Sequence, residues 1–296
     1  MNHCPVLDPR LDALIEPLKN DLQATDWRVD RHLQHSGGLR HLALRIGQGS
    51  GEILITLISS NADLSGAGAL GQTWMQRWPS VVGVMLNLQP SPGNTLFGAE
   101  SRCLAGRPWL LESFCGLSFE LGCDTFFQVN TAQAERVVPL LLKALGGAPC
   151  ALVDAYCGVG AFSLPLAAAG HRVTGLELQG ASVQLARRNA ERNGLSSVAS
   201  FEQGPVSEHL AALLAQGIDA VLVDPPRKGL EAAVCQALCE RQVPRLLYLS
   251  CDPATLARDL GRLVETGGYA LQQVQPLDFF PNTNHVECLA VLTFNS

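Results

Sequence analysis

The chain has 296 residues, enough for about two domains with their own cores. Hydrophobic residues make up 47% and charged residues 16%, which excludes a disordered chain, and a net charge of −6 excludes a broadly basic nucleic-acid sheath, though not local patches. No run of about 18 apolar residues suggests a membrane span, the opening Met1-Asn2-His3-Cys4-Pro5 lacks the layout of a secretory signal, and ten scattered cysteines read as reduced thiols of a cytoplasmic protein.

In chain order, the first expected element is a helix. Leu11, Leu14, Ile15 and Leu18 recur at helical spacing, with Asp8 and Pro9 as cap and first-turn residues. Arg40–Ile46 alternates as a strand, Glu52–Ile58 follows, and Gly47, Gly49 and Gly51 between them predict a hairpin. A helix around Leu70–Trp78, a strand over Val81–Leu88 and a Pro90–Asn94 loop come next, then short strands to about Glu120. Arg28, Arg31, Arg40 and Arg45, with His32, His35 and His41 among them, form a basic stretch that could touch phosphates or lie solvated at the surface. Residues 1–120 therefore read as an α+β domain, and 121–296 as a second domain.

From Ala151 onward strand and helix alternate. Strands end near Tyr156, Leu176, Phe201, Asp224 and Cys251. Helices are expected over Ala161–Ala169, Ala181–Asn193, Val206–Ala215, Leu230–Cys239 and Pro253–Glu265. Tyr269–Val274 and Glu287–Phe294 are two closing strands. This is the pattern of an α/β, doubly wound, Rossmann-like sheet of about seven strands, mostly parallel.

Such sheets place ligands at the carboxyl ends of their strands. Asp154-Ala155-Tyr156-Cys157-Gly158-Val159-Gly160 is a strand-to-helix turn whose glycines let the backbone approach a ligand. Glu177 ends the next strand, roughly 20 residues on, where a carboxylate can accept ribose hydroxyls. Ala161-Phe162-Ser163 follows Gly160, so the third glycine of the dinucleotide fingerprint is missing, which favours S-adenosylmethionine over a pyrophosphate-bearing cofactor. Cys251 sits where Leu246–Ser250 runs into a turn and helix. A free cysteine is most often a small buried hydrophobe, yet this one shares a rim with a carboxylate and a glycine turn.

Five segments occur in a telling order: Phe126-Phe127-Gln128-Val129-Asn130, the glycine turn, Asp224-Pro225-Pro226-Arg227-Lys228-Gly229, Ser250-Cys251-Asp252-Pro253-Ala254-Thr255, and Phe280-Pro281-Asn282-Thr283-Asn284-His285-Val286-Glu287. Together they resemble the RNA uracil-C5 methyltransferase family, which makes 5-methyluridine in transfer RNA and large-subunit ribosomal RNA. Asn87-Leu88-Gln89 through Phe97-Gly98 is similar to the family's central domain.

The resemblance implies a methyltransferase domain over 121–296 and an RNA-contacting domain over 1–120. It makes Cys251 the nucleophile, attacking uracil C6 so that C5 becomes reactive toward a methyl sulfonium. Glu287 of His285-Val286-Glu287 becomes the base that removes the C5 proton. Gln128 and Asp224 match positions lining the cofactor and target-base pocket. Tyr156, Gly158, Gly160 and Glu177 match cofactor-binding positions, and Arg227 could steady the pocket or a phosphate.

Ala161 stands where the family often has Asn. The segment at Cys4 resembles the one holding the last ligand of an iron–sulfur site, and the upstream cysteines and RNA-binding barrel of many members are not in this sequence. The expectations are thus either a naturally short member or one whose N-terminus is incomplete, with no cluster or metal, a monomer, and RNA presenting a loop or single-stranded uridine as partner. Two other functions fit parts of the pattern: a nicotinamide-dependent oxidoreductase on the same fold, which leaves Cys251 and Glu287 without a role, and a catalytically inactive RNA-binding relative.

Overall fold

The computed structural model describes residues 3–4, 7–30, 37–91, 93 and 95–294. Arg31, His32 and His35 of the basic stretch, and Pro92 and Asn94 of the proline-bearing loop, lie outside the described residues. The chain divides into two compact units, Met1–Ser113 with Phe119–Asp124, and Phe114–Ser118 with Thr125–Ser296.

The first unit begins with helix α1 (Pro9–Gln23). The Asp8 carboxylate caps it by accepting from the Arg10 backbone N–H at 2.8 Å, and Pro9 occupies the first turn, where its missing N–H costs nothing. Strands β1 (Leu39–Ile46), β2 (Ile53–Ser59), β3 (Val81–Leu88) and β4 (Glu100–Gly106) form one sheet in that order. β2 and β3 run parallel, and helix α2 (Ala67–Arg77) supplies the crossover such a pair requires. The largely apolar β2 is buried along its whole length, Thr56 and Ser59 included. Leu11, Leu14 and Leu18 of α1 and Trp74 of α2 join Ile53, Ile55 and Leu57 in a single core.

The basic stretch is corrected at two of its arginines. The Arg40 side chain is 2% exposed and beside Asp30 at 3.3 Å, and its Nη1 donates to the Gln89 and Ser91 carbonyls, both at 2.7 Å. Arg45 donates to the Gly122 carbonyl at 2.5 Å, and burial pushes its pKa down to about 10. Both guanidiniums tie distant backbone together inside the unit, and neither is offered to a phosphate. Arg28 is exposed.

Strands β5 (Trp109–Phe114) and β6 (Leu117–Gly122) form a two-stranded sheet. Phe114, in the second unit, meets Phe127 and Phe162 edge-on at 5.5 and 6.4 Å.

The second unit continues with helix α3 (Thr131–Leu145), which the sequence reading lacks. Ala134, Val137, Val138, Leu141 and Leu145 are its buried face. The Asn130 side chain caps it by accepting from the Gln133 N–H at 3.1 Å. Then come β7 (Ala151–Ala155), α4 (Ser163–Ala168), β8 (Arg172–Glu177), α5 (Gly180–Arg192), β9 (Ala199–Gln203), α6 (Val206–Leu214), β10 (Ala220–Val223), α7 (Ala232–Glu240), β11 (Arg245–Ser250), α8 (Pro253–Glu265), β12 (Ala270–Leu277) and β13 (Glu287–Thr293).

The seven strands order as β12-β13-β11-β10-β7-β8-β9. β11, β10, β7, β8 and β9 are mutually parallel, while β13 runs antiparallel to both β11 and β12. Strands β7 and β10 are almost wholly buried, as expected for a sheet covered on both faces. Chain order departs in opposite directions from β7, so the gap between β7 and β10 is the topological switch point.

Asp259 of α8 ties this layer together from a fully buried position. Its carboxylate accepts from the Leu230 N–H at 2.8 Å, the Tyr248 hydroxyl at 2.9 Å and the Arg258 guanidinium at 2.9 Å. No helix of the described residues is long and apolar enough to cross a membrane.

Candidate active site

At the switch point the chain leaves β7 through a tight turn. Tyr156 is there at φ +71°, with Gly158 at +56° and Gly160 at +86°. A side chain at Gly158 would meet only the Phe126 carbonyl, at 3.9 Å, so this glycine leaves space open. One at Gly160 would press on the Phe201 ring at 3.2 Å. The Gly160 N–H closes the turn onto the Cys157 carbonyl at 2.9 Å. Glu177, at the end of β8, accepts from the Gly158 N–H at 3.1 Å and from the Gln179 N–H at 2.7 Å. The carboxylate is thereby fixed over the turn.

A cleft opens beside this turn, with Phe126, Gln128, Asp154, Tyr156, Gly158 and Asp224 in its walls. Asp154 is 1% exposed and accepts from the Ser163 hydroxyl at 2.5 Å. Burial pushes its pKa up to about 7, with the nearby Glu177 charge adding to the rise. Asp224 follows β10 and accepts from the Gln128 amide at 3.4 Å. Burial, then the charges of Glu287 and Asp154, hold its pKa well above the usual carboxylate range. Burial, then the charges of Glu231, Cys235 and Asp259, push the pKa of the Tyr156 phenol up, and its side chain packs against the core cluster that includes Val234, Cys235 and Leu256. Its buried hydroxyl has no hydrogen-bond partner, and Tyr156 is among the residues that line the cleft.

Cys251 and Glu287 meet by strand register. Ser250 of β11 pairs with Cys288 of β13, the last rung of that ladder. Cys251 and Glu287 are one residue beyond on each side, at the same end of the sheet. Glu287 is 8% exposed, and burial pushes its pKa up to about 7. The Cys251 thiol is half-buried and pushed up by that burial, then by the Glu287 and Asp224 charges, while Arg227 opposes the rise. Arg227 is exposed. Immediately after Cys251, the Asp252 carboxylate caps α8 by accepting from the N–H groups of Ala254 at 3.0 Å and Thr255 at 2.9 Å.

The structure thus gathers Gln128, Gly158, Asp224 and the Tyr156 ring around one cleft, with Glu177 locked to its turn. Glu287 acts electrostatically on Asp224, and Cys251 feels the charges of Glu287, Asp224 and Arg227. Asp154 and Ser163 carry no role in the sequence reading. The signal for Asp154 is a carboxylate inside an otherwise apolar strand, and for Ser163 a hydroxyl just past the glycine turn. No group of three or more His, Cys, Asp or Glu side chains could hold a metal ion among the described residues.

The sheet order, with an antiparallel β13 beside β11, and the cleft at the switch point define a Rossmann-like methyltransferase fold. Residues 116–294 match the family described as tRNA (Uracil-5-)-methyltransferase, and the chain belongs to that family.

A protein named as an uncharacterized RNA methyltransferase of Parasynechococcus marenigrum is 52% identical over 99% of this chain and 63% of its own length. One of the same description from Thermosynechococcus vestitus is 48% identical, over 99% and 65%. The chain therefore spans a little under two thirds of these curated relatives. Among solved structures, the Pyrococcus abyssi tRNA (uracil-54, C5)-methyltransferase in complex with S-adenosyl-L-homocysteine superposes with a TM-score of 0.80 at 27% identity, over 99% of this chain and 69% of that one.

Proposed function

We propose that this chain transfers a methyl group from S-adenosylmethionine to C5 of a uridine in structured RNA, transfer or ribosomal, through a covalent bond between Cys251 Sγ and C6. The observation that carries this reading is the thiol–carboxylate pair at the end of the β11–β13 ladder, one residue past the Ser250–Cys288 rung and electrostatically coupled to Asp224. Family membership and the S-adenosyl-L-homocysteine bound to the Pyrococcus abyssi relative support the cofactor.

The cleft fits that cofactor on its own terms. Gly158 leaves room for a ligand against the backbone, and Glu177, held by two N–H groups, still has acceptor capacity for ribose hydroxyls. Gln128, Asp224, Gly158 and Gly160 would hold the cofactor, with Tyr156 contributing ring and backbone. When bound, S-adenosylmethionine supplies the electrophilic methyl group.

The rest is the work of the chain. Cys251 loses its proton to solvent and its thiolate Sγ adds to C6, so that the electron pair of the C5–C6 double bond moves onto C5. Burial and two carboxylates make the resting thiol reluctant to ionise, and Arg227 partly offsets them. After C5 is methylated, Glu287 takes the C5 proton, the C5–C6 double bond re-forms and Sγ leaves. Gln128 and Asp224 can also read the uracil edge, since an amide and a carboxyl between them donate and accept. Arg227, exposed and electrostatically coupled to Cys251, takes a phosphate of the target nucleotide in this reading. The target uridine must leave its stack to reach Cys251, which favours loop over duplex RNA. Residues 1–120 serve as the RNA-contacting domain in this reading.

RNA carrying tritium at uridine C5 tests the site of transfer. Incubation with S-adenosylmethionine should release tritium to water in step with methyl incorporation, and Cys251→Ala should abolish both. Methyl incorporation with the tritium retained would put the reaction at another atom.

A further inference from the structure

Two walls of the cleft are backed by the tip of one hairpin. Strands β5 and β6 are joined by Cys115 and Gly116 alone, both at positive φ, +51° and +76°. This is the backbone that a two-residue hairpin turn requires. Gly116 adopts it freely, whereas at Cys115 it is strained, so surrounding structure must hold it. Phe114–Ser118 belong to the second unit, although the rest of both strands is counted with the first.

Two helices of the second unit hold the tip. From α3, the Glu135 carboxylate accepts from the Cys115 N–H at 2.7 Å. From the end of α5, the Asn193 side chain accepts from the Ser118 N–H at 3.0 Å and donates to the Ser118 carbonyl at 2.8 Å. The same amide donates to the Asn189 carbonyl at 2.7 Å. Asn189, fully buried, donates in turn to the Val159 carbonyl of the glycine turn at 3.2 Å.

The apolar side of the tip reaches the same place. Phe114 is fully buried, with its ring edge-on to both Phe127 and Phe162. Phe127, Val159 and Phe162 all line the cleft, and Phe114 does not. Phe127 immediately precedes Gln128, whose amide reaches Asp224, and Phe162 lies two residues past Gly160. Gln128 leads into α3 and the glycine turn follows β7, so one ring behind both walls fixes their separation. Edge-on aromatic pairs set orientation as well as distance.

We propose that the hairpin tip Phe114–Ser118 is a positioning element of the cleft: Phe114 acts through Phe127 and Phe162 to hold Gln128 and the glycine turn at the spacing the methyl donor needs. The inference rests on the cofactor reading above and adds to it a residue that touches no ligand. A binding site is only as precise as the packing that supports the groups in contact with the ligand, and small misplacements of those groups are costly.

Calorimetric titration of the whole chain with S-adenosylhomocysteine tests this without reference to activity. Phe114→Ala opens space behind both rings and should weaken binding by about tenfold or more. Phe114→Leu, which refills much of that space, should give an affinity between the two. Asn193→Asp keeps the acceptor for the Ser118 N–H, loses the donor to its carbonyl, and should also weaken binding. Leu292→Ala serves as the control: it truncates an equally buried side chain paired with Leu246, toward the end of β11 away from Cys251, and should lower stability while leaving the affinity unchanged. Parent-like affinity in Phe114→Ala overturns the inference and leaves the cofactor reading standing. If Phe114→Ala does not fold, parent-like affinity in both Phe114→Leu and Asn193→Asp does the same. An equal loss in Leu292→Ala also overturns it, since the effect would then be one of stability. Failure of the parent protein to bind overturns both.

Discussion

At the scale of single residues, Glu287, the base of the proposed mechanism, shows how place in the fold sets a pKa. Nothing but burial raises its pKa to about 7, since its strand position turns it inward at the end of a ladder. A carboxyl with that pKa is half ionised near neutrality and can both accept a proton and give it up. The step it serves should therefore speed up as pH rises through about 7 and then level, because only the ionised form can take the C5 proton. Glu287→Gln keeps the shape and removes the basicity. Turnover should fall by about 10²- to 10⁴-fold, its rise through neutrality should vanish, and a methylated protein–RNA complex should accumulate on ordinary RNA. Turnover like that of the parent protein would remove Glu287 from the role.

The sequence shows this residue through the order of its motifs, but it does not show the burial that sets the pKa. Arg40 and Arg45 teach the same lesson in reverse. They read as surface charge, yet their partners are carbonyls 49 to 77 positions further along the chain, and no local pattern contains those distances. The Tyr156 phenol is a third case. Its place in the glycine turn is legible, whereas its direction follows from a positive φ and from the packing of α7 and α8.

Among the elements, the parallel strands are the most legible. Val221–Val223 and Leu246–Leu249 are unbroken apolar runs that end in polar tips, and both strands are where the runs are. Helix α3 is missing from the sequence reading although its buried positions keep a helical period. Pro139 sits inside it, on an exposed position, and a proline there interrupts the expected pattern by removing one backbone bond. What starts the helix is Asn130. Its side chain accepts from Gln133 at 3.1 Å and donates to the Phe279 carbonyl at 3.1 Å, so one residue caps α3 and anchors the segment that leads from β12 toward Glu287. Asn130→Ala should lower stability by about 1–2 kcal/mol, measured by denaturant unfolding. It should also reduce turnover more than it reduces cofactor affinity, since the cap serves the Glu287 side of the site. An unchanged midpoint of unfolding would show that the cap contributes nothing.

For the molecule as a whole, composition and alternation suffice to give a Rossmann-like sheet preceded by an α+β unit. The antiparallel insertion of β13 between β11 and β12 does not follow from alternation, because closing strands can join an edge in either direction. That insertion is decisive for the proposed mechanism, since it brings Glu287 to the strand end that carries Cys251. A site built from one residue of the fifth parallel strand in sequence, β11, and one of the last strand is a product of topology rather than of any local motif.

The central claim is covalent attack by Cys251, and 5-fluorouridine reads it directly. Fluorine cannot leave C5 as a cation, so the adduct should stall after methylation. RNA containing 5-fluorouridine, incubated with the protein and S-adenosylmethionine, should give a protein–RNA band that survives denaturing electrophoresis, and peptide mass mapping should place the modified base on Cys251. Cys251→Ala should give no such band. A band that persists in Cys251→Ala, or methylated RNA with no covalent complex from the parent protein, would contradict the account.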